Sequence, residues 1–309
     1  MNVFLTVDVE CYTGDYEREV LGAGRGLDYV LARCREHGCR ATFFVEALGA
    51  TRWGPEPLRR ICRAILDAGQ EIQLHIHPVV ARLDGFEDRG DVLWQHDRST
   101  QERLMAEGIR ILRECGVPEA RAFRAGDFAA NKDTLEAMEN LGLAIGSNRD
   151  LDRKSSTRSR LNDLFPVRND LSRVGAVADL PLTAFRSPLP FLDGPYRHLE
   201  ISAVALREMT DVLGKLAAAG YACATLLTHP AEFFRWSGGA AVPIAKNCRR
   251  LEGLLAFLRR RKVMPTLTLS QCLEQTRLPV ESLPDVSPSM LHSFARVCEQ
   301  VAAKLRTKV

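Results

Sequence analysis

The sequence predicts an α/β protein with a parallel sheet and helices packed outside it. Three observations lead there. Strand-like apolar runs alternate with helical periodicity from the first residues onward. The 309 residues suit one large domain, and single α/β barrels are often of this length. Asp8, His75, Arg124 and His229 all fall at the ends of strand-like runs, where α/β barrels carry their chemistry.

Taken in order, residues 2–9 form an apolar strand followed by a loop rich in Gly, Asp and Tyr. A helix near 25–37 stops at Gly38, and the β-branched and aromatic run Arg40 to Val45 is the second strand. A helix at about 57–68 ends at Gly69 and leads into the strand that carries His75 and His77. A polar insertion over 80–98 holds Trp94, His96 and Asp97; Ser99 and Glu102 then read as a capping box for a helix to about 115. Strands at 120–125 and 143–148 flank a helix at 132–141. Residues 149–176 are polar and basic, which predicts a surface excursion. A short strand at 179–183, a helix at 202–219 and an apolar strand at 221–228 follow, the last ending in His229-Pro230. A helix at 245–261, a strand at 263–268 and a short helix from 269 complete a domain spanning 1–275.

The remainder, 276–309, is a helical extension. Met290, Phe294, Val297, Val301 and Leu305 recur at helical spacing, with Arg296, Lys304, Arg306 and Lys308 alongside. The apolar stripe is expected to pack on the domain, with peripheral membrane or partner binding as the alternative.

A hydrophobic fraction of 46% and a charged fraction of 26% are those of an ordinary globular chain. Net charge +3 without a long basic run argues against nucleic acid. Nine scattered cysteines with no C-x-x-C pair predict reduced thiols, including Cys34 and Cys39 beside His37. No signal-peptide pattern or bilayer-length apolar run appears, so cytoplasmic residence is the expectation. The sequence does not indicate an oligomeric state.

Chemistry concentrates in two pairs, Asp8 with Glu10 and His75 with His77. On a strand, residues i and i+2 share a face, so each pair presents two polar groups together. Carboxylates and imidazoles converging in this way suit a divalent cation such as Zn²⁺. A metal beside a spare carboxylate turns water into a nucleophile at neutral pH.

The segments Thr6 to Glu10, Ala41 to Val45, Gly69 to His75, Phe123 to Gly126 and Leu226 to His229 together resemble the polysaccharide deacetylase family. This is the NodB-homology or carbohydrate esterase family 4 group, and the branch acting in bacterial surface-polysaccharide (O-antigen) assembly is the nearest in pattern. The resemblance runs from about residue 2 to 275 and implies a distorted (β/α)7-type barrel in a single domain.

It also implies roles. Asp8 matches the catalytic base, Arg124 the arginine that holds it, His229 the catalytic acid, and Leu227 the residue packing the acetyl methyl. Two departures follow. Val9 stands where the family has its aspartate ligand, so Glu10 is the replacement. Val79 stands where the second histidine ligand belongs, four residues past His75, so His77 takes that role. The expected ligands are therefore Glu10, His75 and His77, holding a divalent metal, foremost Zn²⁺. Asp127 is either a substrate contact or a cap for the next helix, and Trp94, with His96 nearby, is a candidate sugar contact. No residue cleanly matches the aspartate that tunes the acid; Asp150 and Asp152 are the candidates.

The implied reaction is metal-dependent hydrolysis of an N-acetyl group on an amino sugar, with a backbone N–H near 125–128 helping to hold the oxyanion. Three rivals stand beside it: a hydrolase of another non-peptide C–N amide bond, an amidohydrolase barrel, and an inactive glycan-binding module.

Overall fold

The computed structural model describes residues 1–151 and 159–306. Asp152 and Lys308 lie outside the described residues, as do the side chains of Val301, Lys304, Leu305 and Arg306.

The chain opens with β1 (Asn2–Val9), a loop containing one π-helical turn, α1 (Leu27–His37) and β2 (Ala41–Glu46). Next come α2 (Ala50–Trp53), α3 (Glu56–Asp67), β3 (Glu71–Ile76), α4 (Arg98–Glu114), β4 (Ala122–Ala125), α5 (Lys132–Asn140) and β5 (Ile145–Gly146). The second half holds β6 (Ser172–Val174), β7 (Val177–Asp179), β8 (Ala184–Arg186), α6 (Pro190–Asp193), β9 (Tyr196–His198), α7 (Leu206–Ala218) and β10 (Cys223–Thr228). The small hairpin β11 (Phe234–Ser237) and β12 (Ala240–Pro243) precedes α8 (Ala245–Arg260), α9 (Leu269–Gln275) and α10 (Met290–Arg306).

Eight strands form one curled sheet in the order β10-β1-β2-β3-β4-β5-β7-β6, all neighbours parallel except β6 with β7. A single stretch of chain closes the curl. It pairs with β5 as β7, then Leu182 N–H donates to Arg149 O and Thr183 N–H to Thr225 O of β10. Leu199 and Ile201 add bonds to Thr183 and Leu227 on the same seam. The result is a distorted barrel. Its central strands are buried on both faces, as β1 and β2 show, because helices cover the outside and side chains fill the inside.

Register decides which side chains share a level. Glu46 lies opposite His75, and His75 opposite Arg124. On the other side of β1, Thr6 faces Leu227 and Val7 faces Thr228. Continuing that register by one residue sets Asp8 beside His229 at the same barrel mouth.

Several local expectations are corrected. Asp97, not Ser99, caps α4: its carboxylate accepts Thr100 N–H at 2.8 Å, and Ser99 Oγ donates to it. Asn131 caps α5 in a capping box with Thr134, so Asp127 is not that helix's cap. The strand at 143–148 shortens to two residues because Ser147 and Asn148 turn their side chains to Arg124 and to the Ala125 N–H instead. Residues 263–268 give only one bridge, Val3 with Thr266, at the stretch of β1 that precedes its pairing with β2.

The expected surface excursion at 149–176 is partly interior. Arg149 is fully buried and donates to Asp179 Oδ1 at 2.9 Å and to the carbonyls of Val167, Arg168, Asp170 and Asp179. Those five acceptors offset the cost of burying the cation.

Over its first turns the tail helix departs from the expectation, with Val297 half-buried. Its polar Ser293 and Arg296 face inward onto Glu208 of α7, at 2.5 and 3.0 Å. Met290, Leu291 and Phe294 are 63, 80 and 61% exposed. Among the described residues no helix is long and apolar enough to cross a membrane.

Candidate metal centre and proton-handling groups

Glu10 follows the last residue of β1, and His75 and His77 straddle the end of β3. Their ligand atoms converge: His75 Nε2 and His77 Nε2 lie 2.9 and 3.0 Å from Glu10 Oε1, and 3.2 Å from each other. Ligands bonded tetrahedrally at about 2.1 Å to zinc are roughly 3.4 Å apart, so the triangle is within about 0.5 Å of the size such an ion requires.

The imidazoles are oriented to match. His75 Nδ1–H donates to Arg124 O at 2.8 Å. A carbonyl only accepts, so Nδ1 carries a proton and Nε2 is the nitrogen turned to Glu10. His77 Nδ1–H donates to Asp91 Oδ2 at 2.6 Å, which turns its Nε2 to the same point. Asp91 comes from the polar insertion and was not singled out in the sequence. Fourteen residues separate it from His77, and no local pattern links the two.

Burial lowers the His77 pKa, but hydrogen bonds to Asp91 and Glu10 more than offset it and raise it to about 10. Burial raises Glu10, yet its bonds to His75 and His77 hold it well below the ordinary 4.5. The ligand set is thus built to hold positive charge beside Glu10.

Asp8, 3% exposed, accepts from Arg124 Nη1 at 2.5 Å. Arg124 is itself fully buried. Its guanidinium stacks 4.3 Å from the Phe44 ring centroid and 5.4 Å from that of Phe128, and donates to Ser147 O and Oγ. Asp127 and Phe128 both adopt left-handed backbone, at φ 52° and 58°, a strained pair that costs on the order of 1–3 kcal/mol per residue. The turn places the Phe128 ring against Arg124.

Asp8, Glu10 and His229 also bring one ligand atom each within 4.8 Å of one another. Arg124 already neutralises Asp8, so this second group favours proton transfer over a second cation. His229 Nδ1–H donates to Glu232 Oε1 at 3.3 Å, leaving Nε2 toward the centre, 3.9 Å from Glu10 Oε1. Burial opposes its charge, but Glu232, Glu10 and Asp8 together raise its pKa to about 10. Glu232 is fixed in turn by Thr228 Oγ1 at 2.6 Å and Ser202 Oγ at 2.9 Å.

That assigns the partner of His229 to Glu232. Asp150 pairs instead with His198 at 2.5 Å. The signal for Glu232 was its i+3 spacing from His229 across Pro230, where Pro starts a helical turn that brings the two together.

The remaining candidates are more dispersed. Leu227 is 5% exposed and two residues before His229 on β10, hence on the same inward face. Asp127 is exposed at the turn after β4. Trp94 is half-buried with Arg160 stacked on its ring at 3.4 Å, which occupies one face. His96 is buried against Phe86. In the 125–128 stretch the Ala125 N–H is taken by Asn148 Oδ1, so only residues beyond it offer an oxyanion donor.

Two further residues join the centre. The Tyr12 hydroxyl lies 2.9 Å from His77 Nε2 and 3.3 Å from Glu10 Oε2. Glu46, opposite His75, accepts the Leu48 and Gly49 N–H groups, while burial pushes its pKa up to about 7.

No protein-family model and no curated protein sequence matches the chain. Solved structures do. A protein described as a polysaccharide deacetylase from Mycobacterium smegmatis superposes with a TM-score of 0.58 at 17% identity, over 94% of this chain and 95% of its own. The 4-alpha-glucanotransferase from Thermococcus litoralis gives the same TM-score at 12% identity, over 92% of this chain and 42% of its own. The family 4 carbohydrate esterase from Streptomyces lividans, in complex with acetate, covers 90% of this chain and 97% of its own at 12% identity, with a TM-score of 0.47. The fold is that of the NodB-type polysaccharide deacetylases. A glucanotransferase of equal likeness means that the barrel alone does not choose the reaction.

Proposed function

We propose that the protein is a metal-dependent deacetylase that removes the N-acetyl group from an amino sugar. One observation carries the reading: the Glu10, His75 and His77 triangle shares Glu10 with the cluster of Asp8 and His229. Three candidate ligands, a carboxylate held by Arg124 and an imidazole with a raised pKa thus lie together at one barrel mouth.

Glu10, His75 and His77 would hold the metal, foremost Zn²⁺. When bound, such an ion lowers the pKa of water and withdraws electrons from an acyl oxygen. Asp8 is the base. The Arg124 guanidinium holds it in an ion pair, and the Phe44 and Ser147 contacts of Arg124 keep the carboxylate aimed. As the water oxygen bonds the acyl carbon, its proton goes to Asp8. His229, its pKa raised to about 10, is charged at neutral pH and gives its Nε2 proton to the departing nitrogen as the C–N bond breaks. Glu232 fixes the ring through Nδ1. Leu227 limits the acyl group to a small one by shape. Acetate and the free amine leave.

The substrate class, an N-acetyl sugar of a surface-polysaccharide precursor, rests on the likeness of the sequence motifs. Asp127 and Trp94 are the proposed sugar contacts at the rim.

The test is acetate release from a panel of UDP-linked N-acetyl sugars by the Zn²⁺-loaded protein. Asp8→Asn and His229→Ala should each lower turnover by roughly 10²-fold or more in protein that remains folded by circular dichroism. Chelation should abolish it and Zn²⁺ restore it. Undiminished acetate release by Asp8→Asn would reject the mechanism. Metal-free protein that still binds glycan, with no turnover after loading, would favour a binding module.

A further inference from the structure

We propose that the outward face of α10 binds the surface of an anionic phospholipid bilayer. The helix is held by its polar side: Ser293 and Arg296 bond Glu208, and Glu299 pairs with Arg250 at 2.8 Å. This docking turns Met290, Leu291 and Phe294 outward together with Cys298, an arc of apolar surface on a helix already anchored to the domain. The residues 290, 291, 294 and 298 fall within about 100° of one another at 3.6 residues per turn, so they form one continuous strip.

The charge beside the strip selects the occupant. A groove runs along the helix between Ala295 and Glu299 on one wall and Arg207, Lys246 and Arg249 on the other. Glu299 is engaged by Arg250, and His292 in the same groove is paired with Asp211. Arg207, Lys246 and Arg249 make no ion pair among the described residues. The flank of the apolar strip is therefore net positive. A bilayer surface offers the complementary layers in the matching order: anionic headgroup oxygens outside, acyl chain beneath. A helix lying in that plane buries the strip and sets the cations at headgroup height.

This inference stands apart from the deacetylase reading, and its test uses the Asp8→Asn protein so that turnover plays no part. The full chain is sedimented with vesicles of phosphatidylcholine alone or with about 30% phosphatidylglycerol. Binding is expected to the mixed vesicles, weakening as salt rises to about 0.5 M. The variant Met290→Ser, Leu291→Ser, Phe294→Ser should lose roughly tenfold of the bound fraction. Arg207→Gln, Lys246→Gln, Arg249→Gln should abolish the preference for phosphatidylglycerol while leaving the strip intact. Val263→Ser, which removes an equally exposed apolar group elsewhere, should bind as the parent does. An environment-sensitive fluorophore on Cys298 should shift to the blue with vesicles. Parent protein that ignores mixed vesicles, or a triple-serine variant that sediments like the parent, overturns the proposal. So does a parent dimer that the triple-serine variant converts to monomer, which would give the strip to a second copy.

Discussion

Gly126 has no side chain because His77 stands where its Cβ would be: an added carbon would lie inside the imidazole's contact envelope. This bears on one departure from the pattern that the sequence resembles, the position of the second histidine. Moving the second histidine from i+4 to i+2 of His75 brings the ring against the turn after β4, and glycine in that turn makes the room. Asp91 then completes the replacement by holding Nδ1 at 2.6 Å. Gly126→Ala and Asp91→Asn should therefore each weaken Zn²⁺ binding by about 10-fold or more, because outer partners of a ligating histidine set its aim and basicity. Competition with a chromophoric chelator measures it, independently of turnover. Affinity unchanged in both would show that His77 is not a ligand.

Among the elements, β7 depends on one buried pair. Asp179 ends the strand fully buried, and Arg149 both pairs with it and satisfies four carbonyls around the β5–β7 connection. The polar composition of 149–176 suggests a surface loop, since nothing local shows which arginine has an acceptor cage. Arg149→Met leaves Asp179 charged and buried, and should cost about 3–5 kcal/mol in urea unfolding. Double replacement, Arg149→Met with Asp179→Leu, should recover part of that. A single-variant loss below about 1 kcal/mol would mean that water reaches the pair. The α10 helix makes the same point at its own level. Its periodicity identified a helix with one apolar stripe, but which side docks was decided by Glu208, 85 residues upstream of Ser293.

For the molecule as a whole, the charged centre couples folding to pH. In metal-free protein, His77 and His229 titrate near 10 against an ordinary 6.5. Their contribution is complete below about 6.5 and is lost as pH rises through 10, because the folded state keeps protons that the unfolded chain releases. Glu46, raised to about 7, acts in the same direction between its ordinary 4.5 and 7. Glu10, held well below 4.5, adds stability that is present above 4.5 and lost as pH falls. Thermal melts with chelator should therefore peak in the weakly acidic range and decline from pH 7 to 10. Saturating Zn²⁺ should raise the melting temperature at neutral pH and flatten the alkaline decline, since ligation displaces the His77 Nε2 proton. A metal-free melting temperature that climbs between pH 7 and 9.5 would contradict the assignment.

The sequence by itself determined the alternation of strands and helices, the parallel barrel, and the grouping of Asp8 with Glu10 and His75 with His77. Each of these depends on spacing within a few residues, where the period of the backbone fixes which side chains share a face. Tertiary structure alone decided that Asp91 aims His77, that Arg149 is interior, and that the tail docks by its polar side. The choice in most of these is between chemically equivalent groups far apart in the chain. Only the barrel's curvature and the path of its connections determine which of them come within hydrogen-bonding reach.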